Sequence, residues 1–525
     1  MNIIDKNMSQ PSRRKGTVAL MATSYISFAL VMVKGICLVP LYIKYIDLQI
    51  YGAWLATGSI IAYFGLLQFG MSGVIIQRVA SAYGEKDYER LGFILGAGLP
   101  VGLLLSSLPI ILGIILAPWV PSIVNITGIE STQIKLAFIL AAFGTSLMIA
   151  MYIVGGTLVA LQRQLVHGMF LVMGDILGVV TTIVLLTSGY GILAIPAGTL
   201  VWALISAFGD GLYLLWFMRN RLSNVRIRFR KRELKDISIQ STWQFFARST
   251  STIARQSDNL IVAILMGPSF CVLLTLTKRA SEMTSRLIMY FVGSFFPGLA
   301  HLHGEDDLTK FKEITLLLFK VTSFFGIGLM GSYLFFNDRF MNLWVGSKFF
   351  GGFMLTGLFY IYGLLLILVT LFYNVIFSKG EIITTARANI AEAFVRIPLC
   401  FVLVKFLGIK GAVMTGILAI LPTTFWIQAK KTLELINFTS ENILNIMRTL
   451  ILQILTSLII GFILRGFWNP VGVVEFIYCA ALYLIMVFSV CIFFDKELLL
   501  IVLNTTKRFL RKYKKKEEAK ASIGL

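Results

Sequence analysis

The sequence predicts an all-α polytopic membrane protein of about fourteen transmembrane helices, arranged as two six-helix lobes plus two C-terminal helices. Three observations carry that prediction. Apolar runs of about 20 residues recur along the chain, each long enough to cross a hydrocarbon core roughly 30 Å thick. Only 14% of the 525 residues are charged, while 57% are hydrophobic and the mean hydropathy is +0.83. A soluble domain is charged at about a quarter of its positions. Alternating apolar and polar strands of the barrel type are absent, and a backbone in lipid must then satisfy its polar groups within helices.

Taken in order, the chain opens polar and basic as far as Lys15, and its first apolar stretch outruns a signal-peptide core without a small-residue cleavage site. That stretch reads as a retained first helix at 17–41. Five more spans follow at 53–76, 91–117, 135–160, 167–188 and 191–217, completing an N-lobe over 17–217. A basic loop at 218–242 separates this from a C-lobe over 243–428, with spans at 243–266, 270–299, 314–336, 351–377, 387–407 and 411–428. Two added helices, 446–466 and 472–494, precede a basic tail at 495–525.

The net charge of +21 suits nucleic acid less well than it suits topology, because of where the charge lies. Of 47 Lys and Arg residues, 32 fall in the segments 1–16, 77–90, 161–166, 218–242, 300–313, 378–387, 429–448 and 495–525. About seven lie in the alternate loops. The positive-inside rule puts the first set, and both termini, in the cytoplasm. The eight cations of Arg219 to Lys235, and the eight of Lys507 to Lys520, are expected to lie against anionic headgroups. The cysteines (Cys37, Cys271, Cys400, Cys479, Cys491) all fall in apolar spans, and His167, His301 and His303 lack metal-ligand spacing, so neither disulfide framework, metal nor cofactor is expected.

Weak internal repetition supports the two lobes. Ala82-Tyr83-Gly84-Glu85-Lys86-Asp87 after the second span matches Leu302-His303-Gly304-Glu305-Asp306-Asp307 after the eighth, 220 positions later. Gly191-Ile192 and Gly408-Ile409 open the sixth and twelfth spans, 217 positions apart. An even number of helices per copy implies a parallel repeat about the membrane normal.

The remaining cations lie inside or at the edges of spans: Lys34, Arg248, Arg255, Lys278, Arg279, Arg286, Lys320 and Arg396. Each costs about 2.5–3.5 kcal/mol at a helix centre on insertion scales, so they are expected to face a polar interior. Lys320 is close enough to the cytoplasm to snorkel. In span seven Arg248 and Arg255 share a face, and Asp258 is placed to pair with Arg255. In span eight Lys278, Glu282 and Arg286 follow i, i+4, i+8 spacing beside Arg279, and Glu392–Arg396 forms an i, i+4 pair in span eleven. Across spans one, seven and eight, six cations meet two acids, Asp258 and Glu282, which implies water or an anionic ligand in a substrate path. Asp175, mid-span, is a candidate coupling-ion ligand or a partner for one of these cations. Gly58, Gly65, Gly70 and Gly73 are expected to permit close packing and bending of the second helix. With no Walker A, Gly-x-Ser-x-Gly, His-Glu-x-x-His or dinucleotide motif, the chain reads as a carrier rather than an enzyme, driven by an ion gradient, the membrane potential or substrate removal.

Several segments carry a resemblance to a known family: the basic start, Asp47-Leu48-Gln49-Ile50-Tyr51-Gly52-Ala53-Trp54, Arg78-Val79-Ala80-Ser81-Ala82-Tyr83-Gly84, and Arg255-Gln256-Ser257-Asp258-Asn259. Together they resemble the polysaccharide transporters and O-antigen (Wzx-type) flippases of the MOP superfamily. The resemblance implies a MATE-like fold around a central cavity, in the bacterial inner membrane. It implies alternating access that moves undecaprenyl-pyrophosphate-linked oligosaccharide to the periplasmic leaflet, with polysaccharide polymerase machinery as a candidate partner. Lys34, Arg248, Arg255, Lys278, Arg279 and Arg286 would engage the pyrophosphate, with Asp258 and Glu282 among them. Two other classes share parts of the pattern. A multidrug exporter of the same superfamily typically takes cations, for which this cavity has the wrong sign. A membrane glycosyltransferase or ligase usually carries a larger polar loop than any found here.

Overall fold

The computed structural model describes residues 13–293, 295, 299, 308–468, 470 and 472–495. His301, His303, the second repeat loop at 302–307, the basic tail beyond 495 and the start of the chain through residue 12 lie outside them. The described residues form fourteen long helical segments and no strands. They are α1 (Arg13–Tyr45), α2 (Leu48–Gly84), α3 (Tyr88–Leu116), α4 (Ile129–Ala160), α5 (Gln164–Thr187), α6 (Gly191–Arg221) and α7 (Lys231–Met266). Then come α8 (Pro268–Gly293), α9 (Leu308–Trp344), α10 (Phe353–Ser378), α11 (Ile382–Leu407), α12 (Ile409–Ile436), α13 (Ser440–Phe467) and α14 (Val473–Phe494). Each expected span falls on one of these segments, with ends moved by up to eight residues, except that α7 begins at Lys231, twelve positions before the expected start at 243, so the second half of the expected basic loop is helical. Ten are long and apolar enough to cross a membrane by length and composition; the other four are α1 and the charge-bearing α7, α8 and α11. The chain is a multi-pass membrane protein.

Local chemistry explains the ends. Asp47 accepts a hydrogen bond from Gln49 N at 2.7 Å to start α2, and Asp87 does the same for Arg90 N at 2.9 Å to start α3. Within α2 a 3₁₀ turn at Gly65–Gln68 runs into two left-handed residues, Phe69 (φ 51°) and Gly70 (φ 71°), so the helix bends there. Gly58 and Gly65 face open space rather than a packed neighbour. The close approach in this helix is made by Gly52 instead, where a Cβ would collide with the backbone carbonyl of Pro268 at the start of α8.

The chain divides into two compact units, Met1–Thr275 with Glu392–Ala412, and Leu276–Ala391 with Val413–Leu525. The six-helix lobes expected from the sequence group the same helices differently, and that grouping is kept as a proposal. In the first unit α2, α3, α4 and α6 bury a core that includes Ile75, Leu91, Ile94, Ile149, Leu158 and Phe217. In the second, Phe324, Phe335 and Phe336 of α9 pack with Ile460 of α13 and Tyr483 and Val487 of α14. The Tyr483 hydroxyl meets Ser457 Oγ at 2.6 Å, satisfying both groups in that apolar setting.

The backbone repeats at three junctions. Gly128 (φ 73°) and Gly352 (φ 93°) precede α4 and α10. Gln162 (φ 64°) and Gly380 (φ 77°) follow the same two helices, and Gly191 (φ 55°) and Gly408 (φ 62°) stand at the starts of α6 and α12. Positive φ thus returns at matching helix ends along the chain.

Gly52→Ala should therefore destabilise the purified protein by about 1–3 kcal/mol, the usual cost of overpacking, whereas Gly58→Ala should leave its melting temperature unchanged. Thermal unfolding of the two variants side by side checks this.

Candidate functional site

The polar face of α7 is organised by a residue from another helix. Arg396 of α11 is 1% exposed, and its guanidinium donates from Nη2 to Asp258 Oδ2 at 2.8 Å. Its Nη1 reaches Glu392 Oε1 at 3.4 Å, and Glu392 Oε2 in turn lies 3.6 Å from Arg255 Nη2. The expected Arg255–Asp258 pair is thus replaced by a crossed arrangement, in which each α7 residue takes its partner from α11. The reason is burial. A fully buried guanidinium must have anionic partners, and its planar fork can hold two carboxylates at once. Two arginines and two acids leave this quartet neutral, and it explains why Glu392–Ala412 clusters with the first unit.

Neighbouring residues of the same stretch serve packing too. Ser257 Oγ lies 2.9 Å from the Tyr63 hydroxyl of α2. The Asn259 carbonyl accepts from Cys271 Sγ at 3.1 Å. Arg78, at the end of α2, pairs with Glu233 at 2.9 Å and donates to Gln240 at 3.1 Å on α7. The segments that carried the family resemblance are therefore largely helix-to-helix fastenings. Arg248 lies on α7, but its side chain is outside the described set.

Lys34 of α1 is ion-paired with Asp175 of α5, which is 6% exposed. Asp175 was open to either a coupling role or a pairing role, and the structure gives it a cation as partner. With Lys34 and Arg255 both held by carboxylates, the expected pooling of six cations against two acids does not describe these helices.

Within α8 the balance is different. Lys278 Nζ lies 3.1 Å from Glu282 Oε1, and Arg279 and Arg286 are within electrostatic reach of the same carboxylate. This helix carries three cations and one acid. Arg286 is exposed, and the Arg279 Nε is buried without a hydrogen-bond partner. The turn before them is rigidly held, since the Thr277 carbonyl accepts from the Tyr333 hydroxyl at 3.1 Å and Asn337 Nδ2 at 3.3 Å. Guanidiniums carried on such a helix suit bidentate hydrogen bonding to phosphoryl oxygens.

Sequence reasoning missed Glu392 and Arg396 as an inter-helix centre, and missed the buried contact of His167 Nδ1 with Asp210 Oδ2 at 2.7 Å. For Asp210 a signal existed: it is the one acid of α6, mid-span, where an ionisable residue needs a partner.

Comparison with known proteins follows the same lines. A family profile described as "polysaccharide biosynthesis protein" matches residues 65–351. Comparison with curated proteins finds no match. Among solved structures, the lipid II flippase MurJ in an inward closed conformation is similar at a TM-score of 0.68 and 14% identity, covering 90% of this chain and 98% of that one. An inward-facing multidrug resistance MATE family transporter of the MOP superfamily scores 0.64 at 15% identity, covering 81% and 100%. A MOP superfamily transporter from Pyrococcus furiosus, described as having a binding pocket of reverse polarity, scores 0.59 at 14% identity, covering 82% and 98%. At these identities the likeness establishes the fold alone, which is MATE-like.

The quartet makes its own prediction. Glu392→Gln takes the carboxylate from Arg255 and leaves Arg396 with Asp258 alone, and should cost about 3–5 kcal/mol, the range for breaking a buried ion pair. Combining it with Arg255→Gln should recover part of that loss in thermal unfolding.

Proposed function

This chain belongs to the polysaccharide biosynthesis protein family, and on that premise we propose that it is a flippase for undecaprenyl-pyrophosphate-linked oligosaccharide. It moves an O-antigen or other surface-polysaccharide repeat unit from the cytoplasmic to the periplasmic leaflet of a bacterial inner membrane, with both termini in the cytoplasm. It works as a carrier by alternating access, and hands its cargo on to polysaccharide polymerase machinery.

The observation that carries this reading is the charge of α8. Three cations less one carboxylate leave it formally at +2. A diphosphate bonded to a lipid at one end and a sugar at the other is a dianion, so the two balance. Such a headgroup cannot enter hydrocarbon unaided, because stripping its water costs far more than packing returns. Arg279 and Arg286 replace that water with charge-assisted hydrogen bonds, and Lys278 adds a compact cation shared with Glu282. The family supplies the polysaccharide context, and the fold it shares with MurJ supplies a precedent for lipid-linked cargo. Organic cations, the typical cargo of a multidrug exporter, would be repelled by α8.

Arg279→Gln and Arg286→Gln should each slow flipping of a fluorescent lipid-diphosphate-oligosaccharide in proteoliposomes by about tenfold or more. That is the worth of one hydrogen bond to a charged group, about 1.5–3 kcal/mol. Melting temperatures should stay near the unmodified value, since neither side chain belongs to the buried quartet. Wild-type flipping rates in both variants would defeat the reading. Arg255→Ala should also abolish activity, but with a lowered melting temperature, and so it tests packing rather than cargo.

A further inference from the structure

His167 and Asp210 have no part in either the quartet or the α8 cluster. His167 stands in the first turn of α5, and its imidazole is 16% exposed. Asp210 stands on α6, 0% exposed. Nδ1 faces Oδ2 at 2.7 Å, while Oδ1 is buried with no hydrogen-bond partner. A third helix completes the site by leaving room: a Cβ at Gly155 of α4 would fall against both the imidazole ring and the carboxylate. Apolar close packing is the norm where three spans meet, so a carboxylate without a fixed cation there is costly.

We propose that His167 and Asp210 form a proton-binding site, through which the transport cycle takes up and releases a proton. A carboxylate accepts, so with Asp210 ionised Nδ1 carries its hydrogen toward Oδ2 in both states, which leaves Nε2 as the nitrogen that gains or loses the proton. Loaded, the site is an imidazolium–carboxylate pair with no net charge. Unloaded, it is a buried anion holding one hydrogen bond from a neutral ring. The ring, at the opening turn of α5, is 16% exposed, while the carboxylate is fully buried.

Other charged groups on the helices packed here leave the site to itself. Arg163, one turn before His167, stacks its guanidinium on the Phe217 ring at 4.6 Å. Asp175, farther along α5, is taken by Lys34 of α1. On α6 the cations, Arg219 and Arg221, stand at the terminal turn, and α4 has no charged residue after Lys135. From Asp210 the interface of α5 and α6 continues polar: Ser206 is buried and donates to the Phe170 carbonyl at 3.4 Å, and the Trp202 Nε1 is buried without a partner.

The inference rests on the transport reading for its purpose but not for its test. The chain has three histidines, so His301→Gln with His303→Gln leaves His167 as a single reporter in the full-length protein. In a nanodisc, ¹⁵N spectra of that imidazole should show Nε2 gaining a proton as the pH is lowered while Nδ1 stays protonated, and Asp210→Asn should change that response. In proteoliposomes His167→Gln should reduce the response of flipping to an imposed pH gradient at least tenfold. An Nε2 that never gains a proton, or a response indifferent to Asp210→Asn, overturns the proposal. The spectra are read without any cargo, so a protein that titrates as described yet moves no lipid-linked diphosphate would count against the flippase reading alone.

Discussion

Hydrocarbon gives no hydrogen bonds, and most of this structure follows from that constraint. Every ionised side chain placed between the water layers must find its counter-charge on another helix or line a path that water or cargo can enter. In the first compact unit the counter-charge is found. Lys34 has Asp175, Arg396 has Asp258 and Glu392, and Arg255 has Glu392. Each partner comes from a different helix or a different turn, so neutralising a charge also fastens two elements together. The fold of α7 against α11 is as much an electrostatic outcome as an apolar one.

The helices themselves were readable because span length and apolarity are properties of contiguous residues. Fourteen runs were visible and fourteen long helical segments are present among the described residues. Partner choice was harder to read, and Arg255 shows why. Asp258, three residues on, is the best local candidate, yet Arg396 takes it from 138 positions away. Spacing along one helix carries no information about which side chain a neighbouring helix brings. The same blindness hid the contact between His167 and Asp210, separated by 43 positions. Only where a set of charges is confined to a single helix, as in Lys278 to Arg286, did periodicity place them correctly.

The loose motifs acquire a physical account. Asp47 caps α2, Gly52 lets α2 touch the start of α8, Arg78 ties α2 to α7, and Ser257 and Asn259 hold α7 to its neighbours. These residues set helix geometry, which a family can share while its cargo varies. Cargo chemistry is then expected elsewhere, on side chains the scaffold does not need. Arg279 and Arg286 fit that description. They sit on a helix whose own fastening, through Thr277 to Tyr333 and Asn337, leaves them out.

On the proposed reading, the charge count on α8 also bears on energetics. Moving one elementary charge through a membrane potential changes free energy by about 2.3 kcal/mol per 100 mV. A dianionic headgroup carried alone to the positive outside would gain from that potential, but the complex it forms with α8 carries no net charge. The potential therefore acts little on the loaded step and more on the return of the empty, cationic helix, which a negative interior favours. A proton bound at His167 adds a positive charge to the carrier in one half of the cycle. Through that charge a pH gradient can bias the direction of turnover without touching the cargo site. Binding the headgroup and setting the direction of its movement then fall to separate groups, α8 for the one and the α5–α6 pair for the other.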